Sequence, residues 1–270
     1  MTSPSSPVAA LRSGDALWPS LRERDTELVE LMDDDACDPI ALDRTYARFG
    51  IVNRLVSGWR GVYRDRIRPL ARALSTSGGA GLSILDIGFG GGDVPIALAR
   101  WARADGLRLS ITGIDPDERA FAFASKRPMP TVAPSTVTFR RERSAELVAR
   151  GEQFDVVLSN HVLHHLDAAA LDQVLGDSAA LARRLVVHND IERGRVAYLG
   201  YQVGITPIAP GSFLRTDGLR SIRRSYTAPE LARVVPSGWT VERHAPFRVL
   251  AILEADRTDS TPRASAGSRP

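Results

Sequence analysis

The chain has 270 residues, enough for one α/β domain with additions, of which 43% are hydrophobic and 25% charged, with a formal net charge of +3, an ordinary balance for a soluble globular protein. No apolar run approaches the roughly 20 residues needed to span a bilayer and no signal-peptide core opens the chain, which predicts a cytoplasmic protein without a membrane span. A single cysteine, Cys37, excludes an internal disulfide and a multi-cysteine metal site, and the interspersed basic and acidic residues leave no nucleic-acid footprint.

Residues 1–20, rich in Ser, Pro and small side chains, read as a disordered tail. From Arg22 to Met32, Leu28, Leu31 and Met32 form one apolar helical stripe that runs into Asp33-Asp34-Asp35, a solvated helix end whose adjacent carboxylates do not face one another. Across Ala41 to Leu74, Leu42, Tyr46, Phe49, Val52, Val56, Trp59 and Tyr63 recur every three or four residues, which predicts one or two amphipathic helices. Residues 21–76 are therefore expected to form an N-terminal helical lid, with Tyr46 against a bound acceptor. Ser75 to Gly81 is a Gly/Ser linker.

Ile84, Leu85 and Ile87 suit a strand covered on both faces, and Pro95 to Trp101 continues with helical periodicity. Between them lies Asp86-Ile87-Gly88-Phe89-Gly90-Gly91-Gly92, a turn without Cβ atoms where a ligand can approach main-chain N–H groups at a helix N-terminus. The spacing is D-x-G-x-G-x-G. The position three after Gly90 is Asp93, so the third glycine of a dinucleotide fingerprint is missing and a nicotinamide oxidoreductase is disfavoured. Leu107 to Ile114 alternates like a second strand and ends on Asp115, 23 residues after Gly92, placed to accept both hydroxyls of a ribose.

This pattern resembles motif I of the class I S-adenosylmethionine-dependent methyltransferases. The resemblance implies a Rossmann-like α/β fold, a seven-stranded, mainly parallel sheet in the order 3-2-1-4-5-7-6 with helices on both faces, over residues 82–254. It implies S-adenosyl-L-methionine as cofactor, held by Asp86, Gly88, Phe89, Gly90, Gly92, Asp115 and Pro116. Tyr46 to Arg60 is loosely similar to the corresponding stretch of quinone-biosynthesis C-methyltransferases.

Further on, a helix is expected from Asp117 to Arg127, ended by Pro128-Met129-Pro130, and a third strand at Thr136 to Phe139. Ser144 and Ala145 fall where the family contacts adenine; capping of the helix Ala145 to Arg150 by Ser144 accounts for it equally well. The strand Phe154 to Leu158 leads into Ser159-Asn160-His161-Val162-Leu163-His164-His165-Leu166, similar to motif IV of small-molecule methyltransferases and lacking the Pro-Pro-aromatic clamp of the DNA amino-methylases. Asn160 is expected at the cofactor, His164 at the acceptor, and His165 or His161 as the general base, a role worth roughly 10²- to 10⁴-fold. His161 and His165 could share a helix face and a metal, but the glutamate of H-E-x-x-H is absent and no metal is expected.

A helix over Ala168 to Ala182 and a strand over Arg184 to His188 precede Asn189 and Asp190, expected either at the acceptor or, for Asp190, as a helix cap. A helical insertion is expected at about 190–210, a helix capped by Thr227 at Ala228 to Val235, and two strands, Trp239 to His244 and Phe247 to Leu253, joined by a turn at Pro246. Residues 255–270 read as a second tail. The whole points to O-methylation of an aromatic, phenolic or quinol-like small molecule in secondary metabolism, compatible with a homodimer. C-methylation of a quinone precursor, or a non-catalytic binding protein of the same fold, are the alternatives.

Overall fold

A computed structural model describes residues 19–76, 81–127 and 132–255. Pro128-Met129-Pro130, most of both predicted tails and part of the 75–81 linker lie outside the described residues. Seven strands form one sheet: β1 (Leu82–Ile87), β2 (Leu109–Ile114), β3 (Thr136–Arg140), β4 (Phe154–Asn160), β5 (Ala182–Ile191), β6 (Thr240–His244) and β7 (Arg248–Glu254). Their order is β3-β2-β1-β4-β5-β7-β6, the predicted one. The first five are parallel, and β7 runs antiparallel to both of its neighbours.

The central strands are apolar without alternation because both faces are covered. Ile84, Ile111 and Val156 pack on one face with Val94, Leu98 and Ala102 of α4 (Asp93–Ala104). Leu85, Ile87 and Val157 pack on the other with Leu147 of α6 (Ser144–Ala149) and Leu181 of α7 (Ala168–Leu181). The predicted lid region divides differently from expectation. Helix α1 (Pro39–Val56) ends before Gly58, which takes the left-handed conformation (φ 70°). Beyond it α2 (Trp59–Val62), a π-helical turn (Tyr63–Ile67) and α3 (Arg68–Thr76) run as one rod. Its Trp59, Tyr63, Ile67 and Ala71 belong to the sheet core, so this rod is core rather than lid.

The stripe at Leu28, Leu31 and Met32 is not a helix. Residues 19–30 form an irregular strap with bends at 22–23 and 26–27, followed by one 3-10 turn at Leu31–Asp33, because the strap is pinned by polar contacts across the molecule. Arg24 donates to the carbonyl of Arg224 (2.5 Å) and to Tyr226 Oη (2.6 Å). The N–H groups of Leu31 and Met32 donate to the Asp217 carboxylate at 2.8 and 3.0 Å.

Helix α5 (Glu118–Lys126) is one residue shorter at each end than predicted, with Asp117 as its N-cap accepting from Arg119 N–H. Helix α6 starts at Ser144, so Ser144 is its first residue rather than its cap; its hydroxyl donates instead to Asp177. The expected insertion is larger than predicted: α8 (Arg195–Gly204) is followed by α9 (Leu214–Arg224), and α10 (Ala228–Val234) then begins with Thr227 N–H bonded to Glu230. Among the described residues no helix is long and apolar enough to cross a membrane.

Candidate functional site

At the carboxyl ends of β1, β2 and β4, where the turns of a parallel sheet leave a crevice, lies a cavity of roughly 680 Å³. Asp86, Gly88, Phe89, Gly90, Asp115, Pro116, Asn160, His161, His164, His165 and Tyr46 all line it. Gly92, Ser144, Ala145, Asn189 and Asp190 do not.

One end is built by the glycine turn. Gly90 has φ +51°, and a Cβ there would meet nothing closer than Phe49 at 3.9 Å, so the turn presents bare backbone to the cavity. Gly92 serves packing: at φ +72° it caps α4, and a Cβ would come within 2.6 Å of the Phe139 ring. Asp115 accepts from Gly90 N–H (3.0 Å) and Asp117 N–H (3.0 Å), tying the second strand to the turn. Asp86 is fully buried and its Oδ1 has no hydrogen-bond partner among the described residues. Burial first, then the charges of Asp93 and Asp115, pushes the Asp86 carboxyl well above the usual range. Burial likewise pushes Asp115 and Asp93 upward, Asp93 although it accepts from Asn53 Nδ2 at 2.9 Å. Three carboxyl groups strained toward protonation favour a cationic ligand.

The opposite end is polar in another way. The stretch Asn160 to His165 is not a helix: His161 is left-handed (φ 60°) and Leu163–His165 is a single 3-10 turn. His161 and His165 therefore do not share a face. His161 Nε2 accepts from Arg248 Nη1 at 2.7 Å, which commits its lone pair, and burial together with the Arg248 charge holds its pKa well below the ordinary value. Arg248, 1% exposed, also donates to the Asn189 side chain (2.8 Å) and to Asn160 Oδ1 (3.2 Å). Asn160 Oδ1 accepts from Trp59 Nε1 as well (2.9 Å), anchoring the α2 rod to the sheet end.

Asn189 and Asp190, expected just past the fifth strand, lie within β5, because β7 pairs with it as far as Ile191. Both are buried behind the cavity wall. Asn189 donates to the Ser57 carbonyl. Asp190 accepts from the backbone N–H of His164 (2.9 Å) and lies 2.7 Å from His164 Nδ1. Burial works against charging His164, but Asp190 and then Glu30 outweigh it and raise its pKa to about 9. Asp190 falls far below the carboxylate range because His164 and Arg248 overcome its own desolvation.

Glu30 and Asp33 belong to the site although nothing in their sequence surroundings points there. Glu30, 3% exposed, accepts from Ser221 Oγ (2.8 Å) and lies 3.3 Å from His164 Nε2, without the alignment of a hydrogen bond. Asp33 Oδ2 is 3.2 Å from His165 Nδ1 and 3.6 Å from Arg224. His165 thus has one nitrogen on Asp33 and the other 3.8 Å from Glu30.

Between the two polar ends the wall is apolar: Val52, Leu55 and Val56 of α1, Ile191 of β5, Tyr201 and Ile205 around the end of α8, Leu214 and Ile222 of α9, and Phe247. Tyr46 packs edge-on against Phe49 with ring centroids 5.8 Å apart, and burial pushes its hydroxyl pKa upward.

With this geometry in place, residues 84–184 match the family described as "Methyltransferase domain". The chain is similar to a ubiquinone biosynthesis O-methyltransferase of Rhizobium rhizogenes, 36% identical over 86 residues that make up 32% of each protein. It is also similar to one of Methylobacterium sp. (strain 4-46), 28% identical over 170 residues, 60% of this chain and 61% of the relative. The chain thus matches about a third of the length of the first of these relatives. Among solved structures, it is similar to the plantazolicin methyltransferase BpumL at a TM-score of 0.48 and 16% identity, covering 81% of this chain and 97% of the other. A magnesium protoporphyrin IX methyltransferase from Synechocystis PCC 6803 gives 0.43 and 19%, covering 83% and 100%.

Proposed function

We propose, from the premise that residues 84–184 belong to the methyltransferase domain family, that the chain is an S-adenosylmethionine-dependent methyltransferase acting on the oxygen of a phenolic or quinol-like small molecule of secondary metabolism. The observation that carries this reading is Asp86, a buried carboxylate with an unpartnered oxygen beneath a bare glycine turn. The residues fit the cofactor. Asp86 is placed for its ammonium group, the Gly88 to Gly90 turn for its methionine portion and Asp115 for its ribose diol, and each carboxylate gains from a cationic neighbour. Bound there, S-adenosylmethionine supplies an electrophilic sulfonium methyl.

The chain's own residues do the rest. The apolar wall from Val52 to Ile222 excludes water and orients a flat acceptor, and such alignment supplies much of the acceleration in a transfer between two bound partners. His165 takes the acceptor proton on Nε2 while Asp33 holds its Nδ1–H, which fixes the tautomer. His161, its Nε2 engaged by Arg248, is a positioning residue for that guanidinium. The relatives named as ubiquinone biosynthesis O-methyltransferases support an oxygen rather than a carbon acceptor.

The test is calorimetry with S-adenosylhomocysteine, followed by methyl transfer to a panel of phenols and quinols with the product bond assigned by NMR. Binding with turnover supports the reading; binding without turnover on any acceptor indicates a non-catalytic protein, and no binding removes the reading altogether. Replacement His165→Ala is expected to lower kcat about 10²- to 10⁴-fold with little change in cofactor affinity.

A further inference from the structure

Three donor atoms converge where the strap meets the 3-10 turn. Glu30 Oε1 lies 3.3 Å from His164 Nε2 and 3.8 Å from His165 Nε2, and all three atoms lie within 4.8 Å of one another. At metal–ligand distances of about 2.0–2.2 Å, the ligands of a tetrahedral site stand about 3.3–3.6 Å apart, so the spacing is already near that of a coordination shell. Each imidazole turns its other nitrogen to a carboxylate, His164 Nδ1 to Asp190 at 2.7 Å and His165 Nδ1 to Asp33 at 3.2 Å. That is the outer-shell arrangement that fixes tautomer and ring orientation in metal-binding histidines. His164 Nε2 itself is buried, aimed at this point, and makes no hydrogen bond.

We propose that Glu30, His164 and His165 bind a divalent late first-row cation, with Zn²⁺ the best match to two imidazoles and one carboxylate. All three ligands line the cavity, so a fourth position opens on the acceptor side. The role of the ion, unlike its binding, rests on the methyl-transfer reading: an acceptor hydroxyl in that position exchanges its O–H bond for an oxygen–metal bond, and the proton leaves to water. In that state His165 is a ligand, and the ion takes over the part assigned to it as base. The site escapes a reading of His161 and His165 alone because its carboxylate stands in the strap, far from both histidines in sequence.

The test uses the full-length chain without a histidine tag, stripped with EDTA and titrated with Co²⁺ and then Zn²⁺. One equivalent of Co²⁺ with the visible absorption of a four- or five-coordinate ion, displaced by Zn²⁺, is expected. His165→Ala and Glu30→Gln are each expected to weaken binding at least about tenfold, with far-UV circular dichroism checking the fold, while His244→Ala leaves it unchanged. His165 is only partly buried, so its variant carries the test if Glu30→Gln does not fold. Absence of stoichiometric uptake, or uptake undiminished in His165→Ala, overturns the proposal. The titration needs neither cofactor nor acceptor: cofactor binding without metal uptake removes this site alone, and metal uptake without cofactor binding removes only the methyltransferase reading.

Discussion

Replacing Asp86 by asparagine is expected to act with opposite sign on ligand binding and on folding. The carboxylate lines the cavity with Oδ1 unpartnered, so on the proposed reading it accepts a charge-assisted hydrogen bond from the cofactor's ammonium. Such bonds contribute about 1.5–3 kcal/mol, which at about 1.4 kcal/mol per tenfold raises the Kd for S-adenosylhomocysteine about 10- to 100-fold. In the free chain the same group is a burden, because burial and then Asp93 and Asp115 favour its protonated form. Its folded pKa stands above the unfolded value, so the folded chain holds the extra proton and wild-type stability falls as pH rises above the usual carboxylate range. Asparagine keeps the shape without the charge. The free variant should therefore melt higher at neutral pH, by about 2–4 °C for each kcal/mol relieved, with a flatter pH dependence. Differential scanning calorimetry with and without S-adenosylhomocysteine reads both effects in one experiment. A ligand-induced shift equal to that of wild type, or a free variant that melts several degrees lower, refutes the reasoning.

Gly90→Val places its side chain into the open cavity at φ +51°; the fold is expected to survive a strain of about 1–2 kcal/mol, while calorimetry detects no cofactor binding. Gly92→Ala behaves in the reverse way: its Cβ would stand 2.6 Å from Phe139, so strain and overpacking together cost about 2–5 kcal/mol in urea unfolding, and a loss below 1 kcal/mol would contradict the packing role. Arg248→Met removes the buried guanidinium that serves Asn189, Asn160 and His161 and offsets Asp190. An expected loss of about 3–5 kcal/mol is checked by the same unfolding curves. Asp217, raised to about 7 mainly by burial, binds its proton more tightly folded than unfolded, so its contribution to stability declines between about pH 4 and pH 7; Asp217→Asn should remove that decline, and hydrogen exchange at Leu31 and Met32 N–H would report it locally.

The sheet was legible because its strands are short apolar runs ending in turn chemistry, and the D-x-G-x-G-x-G stretch marked one end of the crevice. The opposite end was not. Asp33 read as part of a solvated helix end because it opens an acidic run, and Glu30 carried no local signal; what recruits them is His164, His165 and Ser221, more than 130 residues away. Asn189 and Asp190 read as acceptor contacts on the crevice edge because they follow an apolar strand, yet β7 returns alongside and they lie buried within β5. Helix α9 escaped the sequence reading because it has little apolar content beyond Leu214, Leu219 and Ile222; its Asp217, Ser221 and Arg223 are buried through contacts with the strap.

The division of labour around the cavity has an evolutionary corollary. The glycine-turn half is made mainly by residues inside the stretch that matches the methyltransferase domain family, whereas most of the opposite half comes from the strap, α1, α8 and α9, which lie outside it. On the proposed reading, acceptor choice can drift through α1, α8 and α9, and exchanging those three helices between homologues is the route by which selectivity would be transplanted while the sheet, and the strap that carries Glu30 and Asp33, stay untouched.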